Sequence, residues 1–300
     1  MSKILALHFL TFIIVYPFIW LLSILPFRIL YIISDVFYYL IYYIIGYRKK
    51  TVIHNLKLAF PEKSDLELKQ IRKKFFKHFV DIFIEIIKSF TISEKQISKR
   101  YTFTNIEVLH ELENSGKSGI LLGAHYANWE WVFNLNLKIK FNGYAVYKKV
   151  KNQYFDSKVR STRGRYKTTL VPTKEIFSVI RENNKQKILS LFGFLGDQSP
   201  KPHKAHYWST FLGVKDVPIH TGVELLAKKY DLAIVSFNTK KIKRGYYEST
   251  FKLLTDSPRT FEDYTLTDIY LKDLEKHIKE QPEYYFWTHK RFKHQGKNNK

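Results

Sequence analysis

An α/β fold, built on a mixed, largely parallel sheet flanked by helices, is predicted by three features of the chain. Short apolar runs alternate with helical patterns from Ser118 onward. Two of those runs end in small-residue turns that lead into polar side chains. Three hundred residues with 45% hydrophobic content can bury one substantial core rather than several. An N-terminal membrane anchor helix precedes this body. The chain divides into an anchor and interfacial helix over 1–50, one domain over 51–294, and a disordered polar tail over 295–300.

From Ile4 to Leu25 the chain is apolar except for His8, Thr11, Pro17 and Ser23, a run long enough to cross a bilayer at about 1.5 Å per residue. A second stretch, Pro26 to Tyr47, carries Arg28, Asp35 and a crowd of tyrosines and ends in Arg48-Lys49-Lys50. Tyrosines suit the headgroup level, so this segment is expected to lie in or near the interface, packed on the globular body, with the basic cluster on the cytoplasmic side. The apolar run is too long for a cleaved signal peptide, and no small-x-small site follows it. Ser64, with Glu67 three residues on, caps a helix whose stripe of Phe75, Phe76, Phe79, Ile82, Phe83, Ile86 and Ile87 is core or membrane-facing.

Strands are predicted over Ile120–Leu122, Gly143–Val150, Thr168–Val171, Ile188–Phe194 and Leu232–Phe237, with helices near Asn128–Leu137, Lys174–Asn183 and Gly222–Lys229. Tyr246–Leu254 reads as an antiparallel edge strand, and Leu266–Glu280 as a final helix that stops before Pro282.

The chemistry is concentrated in Gly123-Ala124-His125-Tyr126-Ala127-Asn128-Trp129-Glu130, directly after the run Ile120–Leu122. A buried strand that stops at a small-residue turn places its next polar side chain in the cleft at the carboxyl edge of the sheet. Within one helix, residues five apart are turned from each other by about 140°. For the two groups to meet, His125 must therefore precede the first turn and Glu130 lie inside it. Glu130 would then fix the imidazole tautomer and stabilise the imidazolium formed when His125 takes a proton. The chain has no cysteine, and the motif has no serine or threonine, so the nucleophile is most simply a substrate hydroxyl.

Asp197-Gln198 follows a second strand and suggests a second contribution to the same site. Asp197 either caps its loop or orients arginines and lysines that hold a substrate, and Gln198 is a candidate oxyanion donor. Arg160, Arg163 and Arg165 form a basic cluster suited to phosphate or carboxylate, or else a solvated turn. His203 and His206 have no carboxylate at matching spacing, and no metal site is expected. Fifty Lys and Arg against 27 Asp and Glu give a net charge of +23, which favours phosphates, anionic membranes or acidic proteins. No zinc spacing, RNP-type strand or helix-turn-helix pattern supports nucleic acid as the partner.

These residues resemble the lipid A biosynthesis acyltransferases, the lauroyl and myristoyl transferases of Gram-negative bacteria. The shared element is a His, four residues, then Asp or Glu, which is His125 to Glu130 here. The resemblance extends to Asn55-Leu56 with Phe60-Pro61-Glu62, Arg163-x-Arg165, Asp197-Gln198, Phe211-Leu212-Gly213, Pro282-Glu283 and Trp287-x-His289-x-Arg291-Phe292-Lys293, nearly the whole chain. Ala127 and Lys167 stand where members often have Gly.

The resemblance implies a glycerol-phosphate-acyltransferase-like fold and an enzyme of the bacterial inner membrane with its catalytic domain in the cytoplasm. It would transfer an acyl chain from acyl carrier protein to a hydroxyl of a lipid A precursor. In that reading His125 is the general base and Glu130 its orienter, Asn128 or Gln198 assists the oxyanion, Arg163 and Arg165 hold phosphate or sugar acid, and Asp197 positions them. No cofactor beyond the acyl-carrier donor is called for. Two rival readings are the same chemistry on an aminolipid or glycolipid, and a non-catalytic basic membrane binder in which His125→Ala would leave function intact.

Overall fold

The computed structural model describes residues 3–298, so Asn299 and Lys300 of the expected polar tail lie outside the described residues. Within that tail, the Gly296 amide donates to Asp216 O at 3.0 Å. The helices are α1 (Lys3–Ile24), α2 (Phe27–Tyr39), α3 (Lys49–Ala59), α4 (Asp65–Lys88), α5 (Glu94–Arg100), α6 (Glu107–Asn114), α7 (Gln153–Gly164), α8 (Ile176–Lys185), α9 (Gly222–Tyr230) and α10 (Thr265–Glu280). The strands are β1 (Tyr101–Thr104), β2 (Gly119–Gly123), β3 (Asn142–Tyr147), β4 (Thr168–Pro172), β5 (Ser190–Leu195), β6 (Tyr207–Phe211), β7 (Val214–Ile219), β8 (Ala233–Lys243) and β9 (Tyr246–Thr255).

Seven strands form one sheet in the order β1-β9-β8-β2-β5-β3-β4, and β6 and β7 form a separate antiparallel hairpin. From β8 to β4 every pair is parallel, and β9 runs antiparallel to β8. The strand predicted at the edge is not there: β1 pairs with β9 in parallel and takes the edge position. A four-residue strand with one buried position carries too little pattern to stand out in sequence.

Two apolar cores flank the sheet. Ile120, Leu122, Phe192 and Ile234 pack on the side of α9 and α10, and Leu121, Leu191, Val235 and Phe251 pack beneath α6. The alternation along each strand is the period-two consequence of a sheet covered on both faces.

The N-terminal region fits its expected packing. Residues Ile4–Ile24 and Phe27–Ile45, 21 and 19 residues, are each long and apolar enough to cross a membrane. The second is not one uniform helix: α2 gives way to a π-helical turn over Leu40–Ile45, closed by Gly46 with φ of 67°. It sits against α4, where Ser34 donates to Asp81 at 2.7 Å and Arg244 joins Asp81 to Asp35. At the far end of α4, Lys88 Nζ donates to the carbonyls of Ser23 and Leu25 at 2.8 and 3.0 Å, which satisfies the free end of α1. The Ser64–Glu67 capping box that starts α4 forms as predicted.

The segment after His125 departs from its predicted helix. Residues 125–130 are irregular, and Trp131–Leu137 is a 3₁₀ helix. Ala127, at φ of 46°, and Lys167, at 56°, both hold the left-handed backbone that glycine adopts without strain.

Candidate active site

Strand register builds the site. Gly123 of β2 lies opposite Leu195 of β5, so the chains that leave these parallel neighbours start side by side. The second residue past each strand end is His125 on one and Asp197 on the other. Gly123 is required where it stands, because a β-carbon there would come within 2.2 Å of the Phe237 ring.

Asp197, 2% exposed, accepts from His125 twice: from Nδ1 at 2.8 Å and from the backbone N–H at 3.1 Å. The carboxylate partner of the imidazole is therefore Asp197, and the expected pairing with Glu130 does not form. Glu130 binds Arg163 instead, with both carboxylate oxygens taking Nη2 at 2.8 and 2.6 Å. The irregular loop explains the difference. Without a helical turn after His125, nothing brings Glu130 back over the ring, whereas Arg163 in the last turn of α7 reaches it directly.

With Nδ1–H given to Asp197, Nε2 is the nitrogen left for chemistry, and Gln198 Nε2 lies 3.4 Å from it. Burial disfavours the charged ring, but the Asp197 charge and hydrogen bond, with Glu130 adding to them, hold the His125 pKa above its ordinary value. For Asp197, burial raises the pKa, and the charge and hydrogen bonds of His125 outweigh it, so the carboxyl stays below its usual range. Nearby His289 is pushed down to about 4, by burial first, and is neutral at physiological pH.

The loop bearing Asp197 is tied to the C-terminal segment. Tyr285 donates to Asp197 O at 3.3 Å, and the buried Arg291 guanidinium donates to Ser199 Oγ at 2.8 Å and Pro218 O at 3.3 Å. In sequence, Arg291 figures only within a motif run. Its charge next to aromatic residues was the available signal for a buried structural role.

His125, Trp129, Glu130, Arg163 and Gln198 open onto a cavity of about 790 Å³. Its lining is mostly apolar, with Leu121, Leu122, Ala145, Gly193 and Phe194 from the sheet and Val132 and Phe133 from the segment after His125, and includes the polar His220, Glu224 and Thr267. The volume and lining are those of a small-molecule site with few polar groups at its mouth.

Two predicted site residues are elsewhere. Asn128 is fully buried, its amide donates to Glu85 Oε2 at 2.6 Å and its carbonyl accepts from Trp131 N at 3.0 Å, so it has no end free for a substrate. Arg165 falls one residue past α7 and turns from the cavity, donating to Ser89 O at 2.6 Å and Ile92 O at 3.3 Å beside the carboxyl end of α4. Cations at helix carboxyl ends are favoured by the helix dipole. The two residues thus have structural partners in place of the expected substrate. His203 lies in a 3₁₀ turn over Pro202–Lys204 and His206 just before β6, and no group of three or more His, Asp or Glu able to hold a metal occurs among the described residues.

Comparison with known proteins identifies the family. The family described as bacterial lipid A biosynthesis acyltransferase matches residues 2–294. The lipid A biosynthesis lauroyltransferase of Escherichia coli (strain K12) is 22% identical over 276 residues, covering 92% of this chain and 89% of that protein. The family match over nearly the entire length means that this protein belongs to the bacterial lipid A biosynthesis acyltransferases.

Proposed function

We propose that the protein transfers a fatty acyl chain from acyl carrier protein to a hydroxyl of a lipid A precursor, at the cytoplasmic face of the bacterial inner membrane. The observation that carries this reading is an imidazole, oriented through Nδ1 by a buried carboxylate, whose other nitrogen faces an apolar cavity of about 790 Å³.

In the proposed reaction the acyl chain lies in the cavity with its thioester carbonyl at the mouth. His125 Nε2 takes the proton of the acceptor hydroxyl, and the alkoxide oxygen attacks the carbonyl carbon. Gln198 donates to the resulting oxyanion. The tetrahedral intermediate collapses to an ester, the C–S bond breaks, and the imidazolium returns its proton to the departing sulfur. Asp197 holds the tautomer and balances the imidazolium charge, with Glu130 adding a second, more distant negative charge. Positioned base catalysis contributes on the order of 10² to 10⁴ in rate, and one oxyanion donor about 3 to 4 kcal/mol.

Arg163 is suited to hold an anionic group of the acceptor once Glu130 shares it. The net charge of +23 favours both an acidic carrier protein and a phosphorylated lipid. The two apolar N-terminal helices support placement at a membrane, where both the acceptor and its product reside.

The test is reconstitution of the purified protein in mixed micelles with acyl carrier protein bearing a defined chain and a tetra-acylated lipid A precursor. Transfer that is lost in His125→Ala, with donor binding retained, is expected. Transfer to an aminolipid or glycolipid and not to this acceptor would overturn the acceptor, and an active His125→Ala would overturn the base.

A further inference from the structure

Glu85 is a charged residue in the middle of an otherwise apolar run of α4, and it is fully buried. Its carboxylate joins three separate parts of the fold. Oε1 accepts from Tyr31 of α2 at 2.9 Å, and Oε2 accepts from Tyr247 of β9 at 2.8 Å and from the Asn128 amide at 2.6 Å.

Asn128 passes this anchorage on, since its carbonyl takes the Trp131 N–H. The Trp131 indole in turn donates to Ser89, which caps the carboxyl end of α4 one turn beyond Glu85, at 2.9 Å. The first half of the loop after β2 is held differently, by Ala127 N to Tyr284 O at 3.0 Å and Phe286 N to His125 O at 3.1 Å. Trp129 and Glu130, held between Asn128 and Trp131, line the cavity.

Burial pushes the Glu85 carboxyl up to about 7, against the opposing charge of Lys241 and with that of Asp81. A buried carboxylate is a costly way to fill space, and an apolar side chain of the same volume would serve packing as well or better. What an apolar side chain could not do is accept the Asn128 amide.

We propose that Glu85 is a positioning residue for acyl transfer: by holding Asn128 it fixes the following Trp129, whose ring packs on the His125 imidazole with centroids 5.2 Å apart, together with Glu130. The proposal rests on His125 as the base, and its test separates the two ideas. Asn128→Asp removes the amide donor and sets a second carboxyl against Glu85; above the pH at which the pair gives up its shared proton the two carboxylates repel and the contact breaks, so the kinetics are read at the alkaline end of the activity range. Glu85→Gln with Asn128→Asp restores it with the donor reversed: the new amide at position 85 donates to the new carboxylate at position 128, whose other oxygen still accepts Trp131 N–H, and the Tyr247 hydroxyl, which gave its proton to Oε2, turns to accept the second N–H of that amide. The pair again buries a single carboxylate.

With carrier-protein thioester and lipid A precursor as substrates, Asn128→Asp should lower kcat by about 10²-fold with donor KM little changed, the scale expected of a displaced catalytic group. The double variant should return to within about tenfold of the wild type. Wild-type kcat in Asn128→Asp overturns the proposal. So does a double variant that melts like the wild type yet is slower by about 10²-fold or more. If Asn128→Asp does not fold, the double variant alone decides by these limits. His125→Ala run alongside keeps the ideas apart: an inactive His125→Ala beside a wild-type Asn128→Asp sinks the positioning role only, and an active His125→Ala sinks the base reading and this proposal with it.

Discussion

The two carboxylates near His125 should have different signatures when neutralised, and Asp197→Asn against Glu130→Gln is the comparison that reads them. Asp197 is buried, 2.8 Å from Nδ1, with its charge opposed by no other hydrogen-bonded cation than the ring itself among the described residues. Charges about 4 Å apart at an effective dielectric of about 20 interact by about 4 kcal/mol. Losing that support for the imidazolium slows the reaction by about 10³-fold. In Asp197→Asn the amide can also present N–H to Nδ1, which moves the ring proton to Nε2 and leaves no base; the combined loss then approaches about 10⁴-fold.

Glu130 differs because its charge is already matched by Arg163 at 2.6 to 2.8 Å, so the ring feels little more than a dipole. Glu130→Gln should cost the base step about tenfold or less, with any larger effect appearing as weaker acceptor binding through the released Arg163.

The pH profile separates the cases further. His125 acts unprotonated, so kcat/KM rises with pH through its pKa, and in the wild type that limb lies above the ordinary imidazole value because the net shift is upward. Asp197→Asn should bring the limb down, whereas Glu130→Gln should leave it nearly where it is, since Glu130 is the smallest of the contributions to the shift. Steady-state transfer across pH, followed by mass spectrometry of the acylated lipid, provides both numbers. If Glu130→Gln proves the slower enzyme and moves the limb further, the Asp197–His125 pair is not what makes the base, and the mechanism above is wrong.

Three further outcomes follow from the geometry. Gly193 lines the cavity, and a β-carbon there meets nothing closer than Tyr144 O at 3.4 Å, so Gly193→Ala should fold and shift preference toward shorter acyl donors, by about 10- to 200-fold in competing donor specificity; an unchanged chain-length profile in a mixed-donor competition would count against the cavity as the acyl site. Lys167 is exposed at φ of 56°, and replacing it with Gly removes about 1–2 kcal/mol of strain against about 0.5–1 kcal/mol of added chain entropy, so Lys167→Gly should raise the melting temperature slightly. Arg165→Ala should lower the melting temperature through its lost bonds to Ser89 and Ile92, worth about 1–2 kcal/mol, while leaving KM for the acceptor unchanged, and a raised KM would restore it to the binding site.

The sheet, its helices and the location of the site were legible because they are written in local patterns. Apolar runs of a few residues ending in Gly123-Ala124 and in Gly196, each small-residue turn followed by a polar side chain, mark two strand ends wherever those strands lie. The identity of the ring's partner was not legible, because it depends on which strands are neighbours. His125 and Asp197 are 72 residues apart, and they touch only because β5 enters the sheet directly beside β2 with Gly123 opposite Leu195.

Sequence proximity favoured Glu130, and the assumption that carried it was a regular helix after the histidine. Asn128 shows why that helix does not form. Its amide is drawn to Glu85, whose other partners, Tyr31 and Tyr247, come from segments 54 and 162 residues away. No window of sequence contains that cluster. What the window does contain is an isolated glutamate among Ile82, Phe83, Ile84, Ile86 and Ile87 on a helix whose neighbours are apolar. A carboxylate in that setting must find several donors or remain protonated, and donors able to reach it are most economically supplied by the loop the enzyme has to hold still. The misfit in an apolar stripe was thus the one sequence signal for the hidden half of the site, and it argues that such charged interruptions are worth following before the conspicuous motif is paired with its nearest neighbour.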